Sequence, residues 1–146
     1  MAGSLSVTIH IDGGSRGNPG PAAAGVVIQA DDGAVLYEGG LYLGRATNNV
    51  AEYRGLLAGL KAAAELQASR VRVLSDSELL VRQMNGSYRV KNEGLLPLFE
   101  EAQELAAKFE HCTFQHVPRE QNKEADHLVN QAINVKRNVE DAAGPG

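Results

Sequence analysis

Asp12-Gly13-Gly14-Ser15-Arg16-Gly17-Asn18-Pro19-Gly20 is the stretch on which the reading of this chain turns. Leu5, Val7, Ile9 and Ile11 lead into it, alternating with Ser6, Thr8, His10 and Asp12. That two-residue period belongs to a strand with one apolar face, and its polar phase ends on Asp12. The glycines that follow release the backbone, and Asn18-Pro19 closes a second turn. Such a segment sets a carboxylate at a strand end beside backbone amides, which suits a metal ion held near a phosphate. It suits a polar hairpin equally well.

Downstream, Ala22 to Ala30, with Val26, Val27 and Ile28, reads as a second strand. Asp31-Asp32-Gly33 is a hairpin signal, and Val35 to Leu43 is a third strand that Gly39-Gly40 weakens. The period then changes. Tyr53, Leu56, Leu57, Leu60, Ala63 and Ala64 recur at helical spacing between Val50 and Leu66, with Thr47-Asn48-Asn49 as the cap. Val71 to Leu74 is a short strand. Ser75-Asp76-Ser77-Glu78 opens a helix that Asn85-Gly86 stops, and Leu95 to Phe109 is a third helix. Cys112 to Val117 is a fifth strand, and Ala125, Leu128, Val129, Ala132 and Ile133 trace a last helix. A meander followed by strand–helix–strand crossovers predicts an α/β fold: a mixed five-stranded sheet, its first strand near the centre, with helices on its faces. Residues 1–135 form one domain in this reading, and residues 136–146 a flexible, polar, glycine-proline-ended tail.

A chain of 146 residues buries roughly 70% of its unfolded surface, enough for one core. It has no apolar run long enough for a membrane helix and no secretory leader pattern. Cys112 is its single cysteine, which excludes an internal disulfide and a cysteine-cluster zinc site. A cytoplasmic, monomeric protein without a membrane partner is expected. The net charge of −4 means that bulk charge would not draw nucleic acid. Between Val81 and Asn92, however, the charged residues are Arg82, Arg89 and Lys91 with no acid among them.

Asp12, Glu52, Asp76 and Asp126 fall at the starts or ends of elements. Each has a bland explanation: a solvated strand end for Asp12, capping boxes at Asn49-x-x-Glu52 and Ser75-x-x-Glu78, and the helix dipole for Asp126. In an α/β sheet, however, strand ends and adjoining helix starts converge on one edge. Carboxylates meeting there would repel unless a hard cation lay among them, and an all-oxygen set points to Mg²⁺ or Mn²⁺.

Ile11-Asp12-Gly13-Gly14 with Gly17-Asn18-Pro19-Gly20, Thr47-Asn48-Asn49-Val50-Ala51-Glu52, Ser75-Asp76-Ser77 and Asn122-Lys123-Glu124-Ala125-Asp126 together resemble a type 1 ribonuclease H, over about residues 5 to 134. The resemblance implies the ribonuclease H-like fold and endonucleolytic hydrolysis of the RNA strand of RNA/DNA hybrids, giving 5′-phosphate and 3′-hydroxyl ends. It implies two Mg²⁺ ions, with Mn²⁺ as a substitute, held by Asp12, Glu52, Asp76 and Asp126 about 4 Å apart. By resemblance Asp12 is shared, Asp126 serves the ion that activates water, and Glu52 and Asp76 hold the ion at the departing 3′-oxygen. The implied substrate contacts are Gly13, Gly14, Asn18, Thr47, Asn48, Asn49 and Ser77, the asparagine amides addressing the minor groove and its 2′-hydroxyls.

Two departures accompany the resemblance. Residues 82–95 are too short for the family's basic protrusion, which places the chain in the subgroup lacking it and implies weaker, salt-sensitive binding. The loop before Asp126 carries no histidine where many members have a mobile one. Arg119 is the expected catalytic assistant there, ahead of His116, which belongs to the preceding strand. His10 and His127 are expected to be structural. The alternatives are a catalytically silent nucleic-acid-binding module and a related nuclease acting on double-stranded RNA.

Overall fold

The computed structural model describes residues 5–140. Three strands, β1 (Leu5–Ser15), β2 (Gly20–Ala30) and β3 (Val35–Ala46), form an antiparallel meander. They are followed by α1 (Asn48–Glu65), β4 (Ala68–Ser75), α2 (Glu78–Met84), α3 (Leu96–Ala106) and β5 (His111–His116). A 3-10 turn (Arg119–Asn122), α4 (Lys123–Val135) and a short β6 (Val139–Glu140) complete the described residues. The strand order is β5-β4-β1-β2-β3-β6, with β1–β4 and β4–β5 parallel. The mixed five-stranded sheet with β1 at its centre is therefore present, and β6 adds a sixth strand at the β3 edge.

Strand alternation sorts the sheet's two faces. Val7, Ile9 and Ile11 with Val26 and Ile28 pack on Leu56 and Leu60 of α1, and α2 and α3 complete that core. On the other face, Ala23 meets Val129, Ala132 and Ile133 of α4. Alanines in β2 suit a helix lying close to the sheet, since a larger side chain would hold it away. Among the described residues, no helix is long and apolar enough to cross a membrane.

Three local expectations change. The glycine turn does not begin at Asp12: Gly13, Gly14 and Ser15 continue β1, paired with Ala24, Ala23 and Ala22, so the turn is confined to residues 16–19. Gly39-Gly40 lie inside β3 and do not break it. Residues 136–140 of the expected tail are described, and there Val139 and Glu140 pair with Gly40 and Gly39 while the Tyr42 amide donates to Asn138 Oδ1 at 2.9 Å. The rest of that segment, 141–146, lies outside the described residues.

Candidate active site

The parallel ladder between β1 and β4 ends at the pair Ile11↔Ser75, while β1 runs on. Asp12 is thus the first residue beyond the end of β4, at the carboxyl edge of the parallel strands where an α/β sheet opens. It is 8% exposed.

Two glycines bring helices to it. Gly13 faces the α1 backbone at Ala51 and Glu52, so closely that a Cβ would collide. Gly25, the β2 register partner of Asp12, faces the Ala125 carbonyl of α4 equally closely. The first contact seats the Glu52 backbone against the residue after Asp12, and the second seats α4, which carries Asp126, against the β2 partner of Asp12.

The capping explanations for the acids do not hold. Thr47 is the α1 N-cap and accepts from the Val50 amide at 3.2 Å, so Glu52 lies beyond the first turn, not within it. Ser77 caps α2 through Leu80, which leaves Asp76 in the link after β4 with no box around it. Asp126 does lie in the first turn of α4.

All four carboxylates line one open cleft of about 950 Å³, with Gly13, Gly14, Asn48, Asn49, Ser77, His116 and Arg119. Burial, then the charge of Asp76, then a hydrogen bond and charge from Asp126 push Asp12 from 3.8 up to about 8, against the opposing Gly13 amide. Burial raises Glu52 from 4.5 to about 7, opposed by a hydrogen bond from Ser77 and reinforced by Asp76. Burial likewise raises Asp76, with Arg119 opposing and Asp126 adding to the rise. Crowded acids that resist ionisation are what a divalent cation would relieve. Among the described residues, no three His, Cys, Asp or Glu side chains already converge as a closed cation cage. An open all-oxygen set nevertheless fits Mg²⁺, which keeps waters and shares its ligands with substrate phosphates.

Arg119 Nη2 lies 3.5 Å from Asp126 Oδ1, and its side chain is 77% exposed. His116 ends β5 and is exposed in the same cleft. Asn18 and Thr47 do not line the cleft. Asn18 Oδ1 accepts from the Asn48 amide at 3.1 Å, and Asn48 Oδ1 accepts from the Ser15 amide at 2.8 Å. The two asparagines thereby tie the β1–β2 turn to α1, with their carbonyl oxygens already used.

Three residues near the acids had been assigned no role from the sequence. Arg16 Nη2 donates to Asn130 Oδ1 at 3.4 Å, and Asn130 Nδ2 donates to the Asp126 carbonyl at 3.1 Å. Asn122 is buried, with its Nδ2 donating to the Ile11 carbonyl. Asn130 had a usable signal, being one helical turn after Asp126. Asn122 opens the motif that ends on Asp126, but neither its partner nor that of Arg16 could be read, because both lie more than a hundred residues away.

A family model described as reverse transcriptase-like matches residues 10–132. A bifunctional protein of Mycobacterium tuberculosis is 51% identical over 132 residues, which is 90% of this chain and 36% of that protein. The chain thus spans well under half of that relative. The solved N-terminal RNase H domain of the same organism's protein is 50% identical, with a TM-score of 0.88 over 90% of this chain and 96% of that one. RNase H1 of Halobacterium salinarum is 42% identical, with a TM-score of 0.86 over 89% and 98% of the two chains. LC11-RNase H1, solved in complex with an RNA/DNA hybrid, is 42% identical, with a TM-score of 0.86 over 90% and 99%.

Proposed function

The chain belongs to the type 1 ribonuclease H family, and from that premise we propose that it is a divalent-metal-dependent endoribonuclease acting on the RNA strand of RNA/DNA hybrids. The observation that carries this reading is the meeting of Asp12, Glu52, Asp76 and Asp126, from four separate segments, in one cleft that raises three of them. A binding module has no use for carboxylates held at such electrostatic cost.

Asp12, Glu52, Asp76 and Asp126 would hold two Mg²⁺ ions, or Mn²⁺ in their place. When bound, these ions supply positive charge to the scissile phosphate and acidify water. A water oxygen would bond to phosphorus as its proton is released to solvent and the P–O3′ bond breaks, O3′ taking up a proton from solvent, which leaves 5′-phosphate and 3′-hydroxyl ends. The hydroxyl of Ser77 keeps Glu52 in place. Arg119, loosely paired with Asp126 at the cleft mouth, would assist release of the cleaved 5′-phosphate end.

Substrate choice rests on the 2′-hydroxyl, which distinguishes RNA from DNA. Because the Oδ1 atoms of Asn18 and Asn48 are engaged, these residues address the groove as amide donors, alongside Asn49 and the backbone of Gly13 and Gly14. Thr47 acts beside them at the start of α1.

The test is incubation with labelled hybrid, double-stranded RNA and duplex DNA, with Mg²⁺ or Mn²⁺ and with chelator. Metal-dependent cleavage of the hybrid's RNA strand is expected. Cleavage that survives chelation would sink the metal mechanism, and preference for double-stranded RNA would overturn the substrate assignment.

A further inference from the structure

Asn122 is 1% exposed, and its Nδ2 donates to the Ile11 carbonyl at 2.6 Å across 111 residues of sequence. It is also the N-cap of α4, a position where asparagine ordinarily accepts from an amide of its own helix. Here no side-chain cap bond forms, and Oδ1 is buried without a partner. A forfeited cap and an unpaired buried acceptor both oppose this arrangement. The bond to Ile11 is what the side chain gains in return.

The position of that bond gives it meaning. Ile11 precedes Asp12 and is the last β1 residue in register with β4. Asn122 precedes Asp126 by one helical turn. A single hydrogen bond therefore fastens the backbone next to Asp12 to the start of the helix that carries Asp126. The close contact of Gly25 with Ala125 seats the same helix from the β2 side.

We propose that Asn122 is a positioning residue that fixes the separation of the Asp12 and Asp126 carboxylates and so sets the site's affinity for divalent cations, an inference that rests on the metal-dependent reading above. A purely structural asparagine would affect melting temperature alone, so metal binding must be read separately. Mg²⁺ is titrated by calorimetry into the full chain without nucleic acid, and kcat and KM on hybrid are measured in parallel.

Asn122→Ser is the decisive variant, since serine restores a strong cap to α4 but is too short to reach Ile11. Asn85→Ala is the control: it removes the bond from Asn85 Nδ2 to the Phe114 carbonyl, away from the acids. Asn122→Ser is expected to weaken Mg²⁺ binding about tenfold or more and to lower kcat with KM little changed. Asn85→Ala should lower the melting temperature without moving the Mg²⁺ midpoint. Wild-type Mg²⁺ affinity and turnover in Asn122→Ser, beside an active wild type, would overturn the inference alone. A wild type that neither binds Mg²⁺ nor cleaves hybrid would overturn the nuclease reading and this inference with it.

Discussion

Asp12 combines burial with two acidic neighbours, and its proton is the most informative in the molecule. In the folded chain Asp12 titrates near 8 and Glu52 near 7, against ordinary values of 3.8 and 4.5. Between those limits the folded state binds more protons than the unfolded state, so stability falls as pH rises through that window and levels off above it. In chelator, the melting temperature is expected to decline from about pH 5 to about pH 8, and Asp12→Asn should flatten the decline. A flat wild-type curve would show that Asp12 is not held in a crowded, buried site. Added Mg²⁺ should restore the most stability at the alkaline end, where the acids are charged. Asp12→Asn should also abolish cleavage while leaving the fold intact, as followed by circular dichroism. Arg119→Ala should lower turnover more than His116→Ala; the opposite order would transfer the assisting role to His116, which shares the cleft.

At the scale of elements, the site depends on how closely two helices approach β1 and β2. Gly25→Ala drives a methyl group against the Ala125 carbonyl, so α4 must move or the strand must bend. Overpacking of this kind costs about 1–3 kcal/mol. The variant should unfold at lower urea and lose activity beyond its loss of stability, because Asp126 moves with α4. Full activity in a destabilised Gly25→Ala would separate α4 placement from catalysis. Thr47→Ala should cost about 1 kcal/mol through loss of the α1 cap alone. Periodicity located all four α-helices, because it is written in neighbouring residues. Turn chemistry found the cap segments as well, with Thr47 opening α1, Ser77 opening α2 and Asn85 closing it, but not which residue of each segment caps, since several Ser, Thr and Asn residues compete within a few positions.

Across the whole molecule, the sheet has two differently treated edges. β6 covers the middle of β3, whereas β5 forms the opposite edge. Truncation after Val135 removes the β6 pairing and the Asn138 bond to Tyr42 and uncovers Val139's place beside α4. A loss of about 1–2 kcal/mol, read from chemical denaturation, is expected from those few bonds. An unchanged midpoint would show that β6 contributes nothing to stability. The short link between α2 and α3 bears on the proposed binding of a duplex. Arg82 is engaged by Glu78 at 2.8 Å and lies over the Tyr88 ring at 5.2 Å, so Arg89 and Lys91 are the exposed cations left to meet a duplex from this loop.

The sequence by itself determined the order of the main strands and helices and the central place of β1, and it singled out the four carboxylates that share the cleft. These follow from short-range periodicity, from turn chemistry and from motifs whose residues stand close together. Only the tertiary structure decided that β1 outruns β4 at Asp12, that Glu52 lies beyond the first turn of α1, and that the Asn18 and Asn48 oxygens are spent on holding a turn. It alone revealed that Asn122 grips Ile11. Each of these depends on strand register or on the distance between a helix and the sheet. Those quantities are set by packing among residues far apart in the chain, so no local pattern records them.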